Sequence, residues 1–166
     1  MAIPVLRSTN GIVVSSVATV ATQTNNTVTL ATITGQTFTL HAGQSCEVHA
    51  NLICASSSTL TGLTYGISVT TLAGANANVI GSVQILVAVN GNYGGGAFNV
   101  PAATTTAVTA GSGSSVATNN VSTLTAILKN LSTNTNATVN IQFASKTAGT
   151  TFTVNIGSAM RAHLFS

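Results

Sequence analysis

Apolar and polar side chains alternate with a period of two along most of this chain. A chain so patterned can bury one side only as a pleated strand, because successive side chains of a strand point to opposite faces. From Ser45 to Ala55 the residues Cys46, Val48, Ala50, Leu52 and Cys54 fall on one parity, and Glu47, His49 and Asn51 on the other. This is the pattern of a half-buried antiparallel strand. The same rule collects Leu63, Tyr65, Ile67 and Val69; Val83, Ile85, Val87 and Val89; Val139, Ile141 and Phe143; and Phe152, Val154 and Ile156. Weaker segments run from Ile12 to Val20, Val28 to Ile33, Thr37 to Leu40, Val121 to Leu128 and Met160 to Phe165. No 11-residue window has helical spacing, so the expectation is an all-β chain of about nine or ten strands, a number that suits an antiparallel two-sheet β-sandwich.

The turns have their own chemistry. Thr34-Gly35, Ala42-Gly43, Thr61-Gly62, Ala148-Gly149 and Ile156-Gly157 place a residue able to take positive φ between strand segments. Between Asn90 and Asn120 the alternation fades into Gly94-Gly95-Gly96, Pro101 and Gly111-Ser112-Gly113, which reads as a long Gly/Thr/Ser-rich loop over 90–120 reaching over a neighbouring subunit, with a disordered surface loop as the alternative. Residues 1–10, with Pro4 and Arg7, read as an extended N-terminal arm, and 11–166 as a single sandwich domain.

Charged residues make up 3% of the chain, against about 25% in ordinary soluble proteins, and Glu47 is the only acidic side chain. Such a surface has little like-charge repulsion to keep copies apart, so it suits a permanent assembly better than a free monomer. With so few charges to blunt them, strand edges must be short, covered, or paired across subunits. The net charge of +3 comes from Arg7, Lys129, Lys146 and Arg161, no two adjacent, whereas a phosphate-binding face needs clustered cations. No nucleic-acid partner is expected.

The longest wholly apolar run, Ile85 to Val89, is far shorter than the ~18 residues that suggest a membrane-spanning helix. An outer-membrane barrel wants aromatic girdles, and the chain has 4% aromatics and no Trp, so no membrane partner is expected either. Met1 to Asn10 lacks the cationic start and apolar stretch of a secretory signal, which points to a protein made in the cytoplasm and used without export by that route.

Catalysis finds little material here. Paired carboxylates are excluded by a single acidic residue, and a Ser or Thr nucleophile with a histidine base would have to use Glu47 as its third member. No catalytic residue, no cofactor and no metal site is expected. His41, Cys46, Glu47, His49 and Cys54 are close in sequence, but alternation throws the two cysteines to the face opposite Glu47 and His49. A metal shared around a symmetry axis through His49 is the alternative reading of that cluster. Cys46 and Cys54, eight positions apart in one strand, are separated by about 26 Å and cannot bridge each other there. They read as buried free thiols, with an intersubunit bond or metal ligation as the alternatives. Gly94-Gly95-Gly96 lacks the following Lys and helix of a phosphate loop. The Asn-x-Ser/Thr triplets at Asn25, Asn120, Asn130 and Asn136 are expected by chance in a chain this rich in those residues.

Two stretches carry a resemblance. Leu30 to Val69, LATITGQTFTLHAGQSCEVHANLICASSSTLTGLTYGISV, has an apolar strand, an Ala-Gly-Gln-Ser turn, an alternating strand and a Gly-led strand. Leu124 to Phe165 runs through NATVNIQFAS to TFTVNIGSAMRAHLF, a Gln-Phe-Ala strand followed by a Gly-Ser-Ala-Met-Arg-Ala closing strand. Together they resemble a jelly-roll-like module of tailed-phage virion proteins. The chain departs from that family at Cys46, where Tyr or Phe is usual, and at Thr61-Gly62, where a glycine pair is usual. The resemblance implies a jelly-roll-like, trimeric β-sandwich built into a virion. It transfers no catalytic or metal-binding position. The role it favours is a capsid decoration or cement protein, a homotrimer on the outer capsid surface with the major capsid protein as partner. The alternative is a tail-fibre or baseplate module for host receptor binding.

Overall fold

In the computed structural model the described residues are 5–8, 11–17, 21–57, 63–71, 79–87, 92–100, 106–110 and 120–165. Among them are thirteen strands and no helix: β1 (Val5–Ser8), β2 (Gly11–Val17), β3 (Gln23–Asn25), β4 (Ala31–Leu40), β5 (Ser45–Ser56), β6 (Leu63–Thr71), β7 (Val79–Val87), β8 (Asn92–Val100), β9 (Thr106–Ala110), β10 (Asn120–Asn130), β11 (Ala137–Ser145), β12 (Phe152–Val154) and β13 (Ala159–Phe165).

Eight of these strands pass back and forth between two sheets as the chain proceeds, with β6 and β9 the one successive pair that stays in the same sheet. One sheet contains the run β2-β13-β5-β10 and the other is β4-β11-β6-β9, all neighbours antiparallel. That order is the double Greek key of a jelly roll. The remaining strands enlarge only the first sheet. β1 lies beyond β2, the β7–β8 hairpin lies beyond β10, and β12 joins the end of β5 to β3, giving nine strands against four.

The inner faces meet in one core. β5 alternates without exception, with Cys46, Val48, Ala50, Leu52 and Cys54 buried, opposite Ile67, Val69, Val139, Ile141 and Phe143 from the smaller sheet. Tyr65, Phe143 and Phe152 are its largest fully buried side chains.

Nine strands coincide with expected segments, once Val28–Ile33 and Thr37–Leu40 are recognised as parts of β4. Between Thr32 and Thr37, four residues of β4 stand against the single Ile141 of β11. Gly35, at φ 86, lets the backbone make this bulge, and it was the bulge that broke the alternation. The bulge turns Gln36 inward, where its carboxamide is fully buried and makes no hydrogen bond. β1, β3, β8 and β9 are additional. β1 falls within the expected N-terminal arm, residues 1–10, whose other residues lie outside the described ones. β8 and β9 replace much of the expected loop over 90–120. Backbone pairing to β7 carries Gly94, Gly95 and Gly96 as strand residues, although they supply no apolar parity to read. Residues 101–105 and 111–119 of that segment, and the Thr61-Gly62 turn, lie outside the described residues.

Buried carboxamides rivet the loops to the sheets. Asn130, fully buried, donates from Nδ2 to the carbonyls of Leu40 and Thr135, and its Oδ1 accepts from Ser132 N at 3.0 Å. This joins the β4–β5 turn to the β10–β11 turn. Asn25 donates to the Thr29 and Phe143 carbonyls and accepts from Thr27, fastening the β3–β4 loop to β11. At Gly81 the β7 backbone comes so near β10 that a Cβ would meet the Ile127 carbonyl oxygen at 2.0 Å and Leu128 Cδ2 at 2.9 Å.

Cys46 and Cys54 are free and buried. Burial pushes the Cys46 thiol up to about 12, against a smaller downward pull from its hydrogen bond with the Leu128 backbone. Burial likewise raises Cys54, with hydrogen bonding to Tyr65 and Ser122 opposing. It raises Tyr65 well above its ordinary value, with the Cys54 charge adding to the shift. Cys54 Sγ lies 3.8 Å from Ser122 Oγ, while the Tyr65 hydroxyl, beside both, makes no hydrogen bond of good geometry.

Three outcomes are expected. Gly81→Ala will lower unfolding stability by about 1–3 kcal/mol in urea titration, because backbone cannot yield as a side-chain tip can. Asn130→Ala will lower it by roughly 2–4 kcal/mol by stranding several buried backbone groups at once. Both thiols are protonated in the native state at a pH where the unfolded chain ionises them. For Cys46, stability is therefore full below the ordinary thiol value of 9.0 and is lost as pH rises from there toward 12, by about 1.4 kcal/mol per unit, and the buried Cys54 thiol adds a loss of the same sign above 9.0. A urea midpoint that stays constant from pH 8 to pH 11, roughly, would contradict this.

Candidate interaction face on the large sheet

Because one parity of β5, β10, β13 and the Val79–Gln84 part of β7 is committed to the core, the other parity of these strands forms a continuous outward face. Antiparallel register sets its rows. Phe165, Ser45, Lys129 and Ile80 lie side by side; then His163, Glu47, Ile127 and Ser82; then Arg161, His49, Thr125 and Gln84; then Ala159, Asn51 and Thr123. Ile53 and Val121 continue it.

The face mixes charge with apolar surface. Ile127 is 58% exposed and Val121 50%, with Phe165 and Ile80 also open to solvent. Glu47 and His49, both about half-exposed, are paired through Oε1 and Nε2 at 3.0 Å. The His163 ring stands edge-on to Phe165, centroids 6.0 Å apart at 74°. Lys129 and Arg161 are exposed, and neither side chain makes an ion pair or hydrogen bond among the described residues. Two open depressions interrupt the face, one bordered by His49, Asn51 and Arg161, the other by Glu47, Gln84, Thr125 and Ile127.

The outer face of the smaller sheet is a different kind of surface. β4, β6, β9 and β11 contain no charged residue at all. Thr37 Oγ1 donates to Asn140 Oδ1 at 2.9 Å, Asn140 Nδ2 reaches Ser68 and Thr70 at 3.5 Å each, and Gln142 Nε2 donates to Thr32 at 3.3 Å. Its polar groups largely satisfy one another across the strands.

The five residues weighed as metal ligands are not brought together. His41 sits in the β4–β5 turn, where its backbone binds Gln44; the cysteines point inward, and Glu47 and His49 outward. No group of three potential ligands occurs among the described residues. Glu47 and His49 do form the carboxylate–imidazole half of a triad, but no described Ser or Thr hydroxyl is bonded to His49. Of the glycosylation triplets, Asn25 and Asn130 have buried, engaged carboxamides, and Asn136 accepts from Ala42 N at 3.1 Å. The side chain of Asn120 lies outside the described residues.

Sequence reasoning missed the face itself, since no single strand contains it. One signal was available: Val121 and Ile127 occupy the parity that β10 shares with Thr123, Thr125 and Lys129, which is the outward one.

No family model matches the chain, and no curated protein matches it. Among solved structures it is similar to the Yersinia pseudotuberculosis-derived mitogen, at 15% identity and a TM-score of 0.33 over 68% of this chain and 84% of that one. It is similar to the N-terminal CBM22-1 and GH10 modules of Clostridium thermocellum xylanase 10B, at 12% identity and a TM-score of 0.26, covering 59% of this chain and 26% of that one. A third similarity is to infectious bursal disease virus, Gx strain, at 10% identity and a TM-score of 0.30, covering 92% of this chain but only 39% of that chain. These likenesses are slight, and the assignment of a jelly roll rests on the strand order itself.

Proposed function

We propose that this chain is a structural protein of a bacteriophage particle, a capsid decoration or cement protein that binds the outer capsid as a homotrimer and stabilises the head. It works by adhesion, with no catalysis and no cofactor. The observation that carries the reading is the widened sheet. Five strands beyond the eight of the jelly roll all extend one sheet, and the face they enlarge exposes Ile80, Val121, Ile127 and Phe165 beside Lys129 and Arg161, whose side chains make no ion pair among the described residues. A clamp needs broad outward area and a filled interior, and this arrangement supplies both.

Burying such a face contributes about 25 cal/mol per Å² of apolar area, before the costs of ordering and desolvation. A footprint of about 800 Å² on each partner is enough for a specific contact. Contacts among the three copies fall to the strand edges, which carry too little charge to repel one another. The resemblance of Leu30–Val69 and Leu124–Phe165 to phage virion modules supports the same reading, with the major capsid protein as partner.

The test is addition of the purified protein to heads assembled without it, followed by sedimentation. Co-sedimentation and a higher temperature of DNA release are expected. Ile127→Ser should weaken binding about tenfold or more while leaving the melting temperature nearly unchanged, because the side chain faces out. Binding to host cells but not to heads would reject the decoration role in favour of receptor binding.

A further inference from the structure

We infer that the outer face of the nine-stranded sheet docks onto an acidic protein surface, with Lys129 and Arg161 as its anchoring cations on either side of Glu47. This deepens the assembly reading above and rests on it for the claim that the face is a contact surface at all.

The argument begins with the charge inventory. The chain has four Lys and Arg residues and one carboxylate side chain. That carboxylate, Glu47, is already paired with His49. Lys129 and Arg161 therefore have no other acidic side chain to draw on within the chain, and among the described residues their side chains make no ion pair or hydrogen bond. A contact that covered Ile127 and Phe165 would also strip water from these two cations. Such burial is strongly unfavourable unless the opposite surface supplies carboxylates.

A second copy cannot supply them through this face. It would present the same two cations and the same engaged carboxylate, so two such faces repel. Nucleic acid and anionic membranes fit less well than protein. Lys129 lies in the row of Phe165 and Ser45, and Arg161 in the row of His49. By strand geometry the two are about 16 Å apart, with Glu47 in the row between. Phosphate backbones and lipid surfaces are held by clustered cations, whereas two isolated cations set among exposed aliphatic and aromatic side chains suit a protein surface with spaced carboxylates. The smaller sheet's outer face, with no charge in its strands and its amides already bonded, has no comparable demand.

The experiment measures retention of the folded protein on immobilised poly-L-glutamate at rising salt, with poly-L-lysine, phosphatidylserine–phosphatidylcholine vesicles and duplex DNA as separate surfaces. Wild type should be held by polyglutamate and released by salt. Lys129→Ala and Arg161→Ala should each weaken it roughly threefold to tenfold, and Glu47→Gln should strengthen it. Lys146→Ala removes the same charge from the exposed β11–β12 turn, away from the face, and should change little. Equal loss in K146A, weaker binding in E47Q, stronger retention on vesicles or DNA, or no retention on polyglutamate would each overturn the inference. The same variants on heads assembled without the chain separate the two claims. Heads that bind wild type, K129A and R161A equally refute acidic docking and leave the decoration role standing. Heads that bind none, with the polyglutamate pattern intact, refute the decoration role alone.

Discussion

The antiparallel pairing of β5 is the constraint from which the rest of the molecule follows. β10 pairs with it from Ser45 to Cys54 on one side, and β13 and β12 divide the other side between them. With both edges engaged, its hydrogen-bonding register cannot slip by one residue without turning six buried side chains to solvent and six outward ones into the core. Fixing β5 thus fixes which parity of β10 and β13 faces in. In a chain with almost no ionic groups, this strand pairing and apolar burial supply what stability there is.

Polar groups inside this sandwich fall into two kinds. Asn25, Asn130 and Ser158 are engaged: Ser158 Oγ accepts from Ile53 N at 3.0 Å and donates to the Asn155 carbonyl at 2.8 Å. Each closes a loop against a strand at a place where backbone groups would otherwise be stranded. Gln36 and Tyr65 are the other kind, buried with polar atoms that make no hydrogen bond of good geometry. Gln36 is explained by the bulge that turned it inward. Tyr65 lies beside Cys54 and Ser122, and its aromatic ring is among the largest fully buried groups, so packing outweighs the unsatisfied hydroxyl.

β5 and the Val139–Phe143 part of β11 were legible from residue order alone because one-sided burial leaves a direct imprint on parity, and β13 gave a weaker form of the same signal. β4 was half legible: Ile33, Phe38 and Leu40 revealed its inward side, but the bulge shifted the phase between them. β8 left no imprint. Its glycines have no side chains to alternate, and pairing to β7 acts only through the backbone. The inward fate of Cys46 and Cys54 and the outward fate of Glu47 and His49 followed from parity. The row that sets Glu47 between His163 and Ile127 did not, because it joins residues up to 116 positions apart through registers that no local pattern encodes.

The β7–β8 hairpin enters the chain between β6 and β9, two strands of the smaller sheet, yet it extends the larger one. It is therefore peripheral to the eight-strand wrap, latched along one side to β10 through the tight approach at Gly81. Such an appendage can lengthen, shorten or change its outward residues without disturbing how the remaining strands are threaded. The breadth of the larger sheet is thus free to vary independently of the scaffold that carries it.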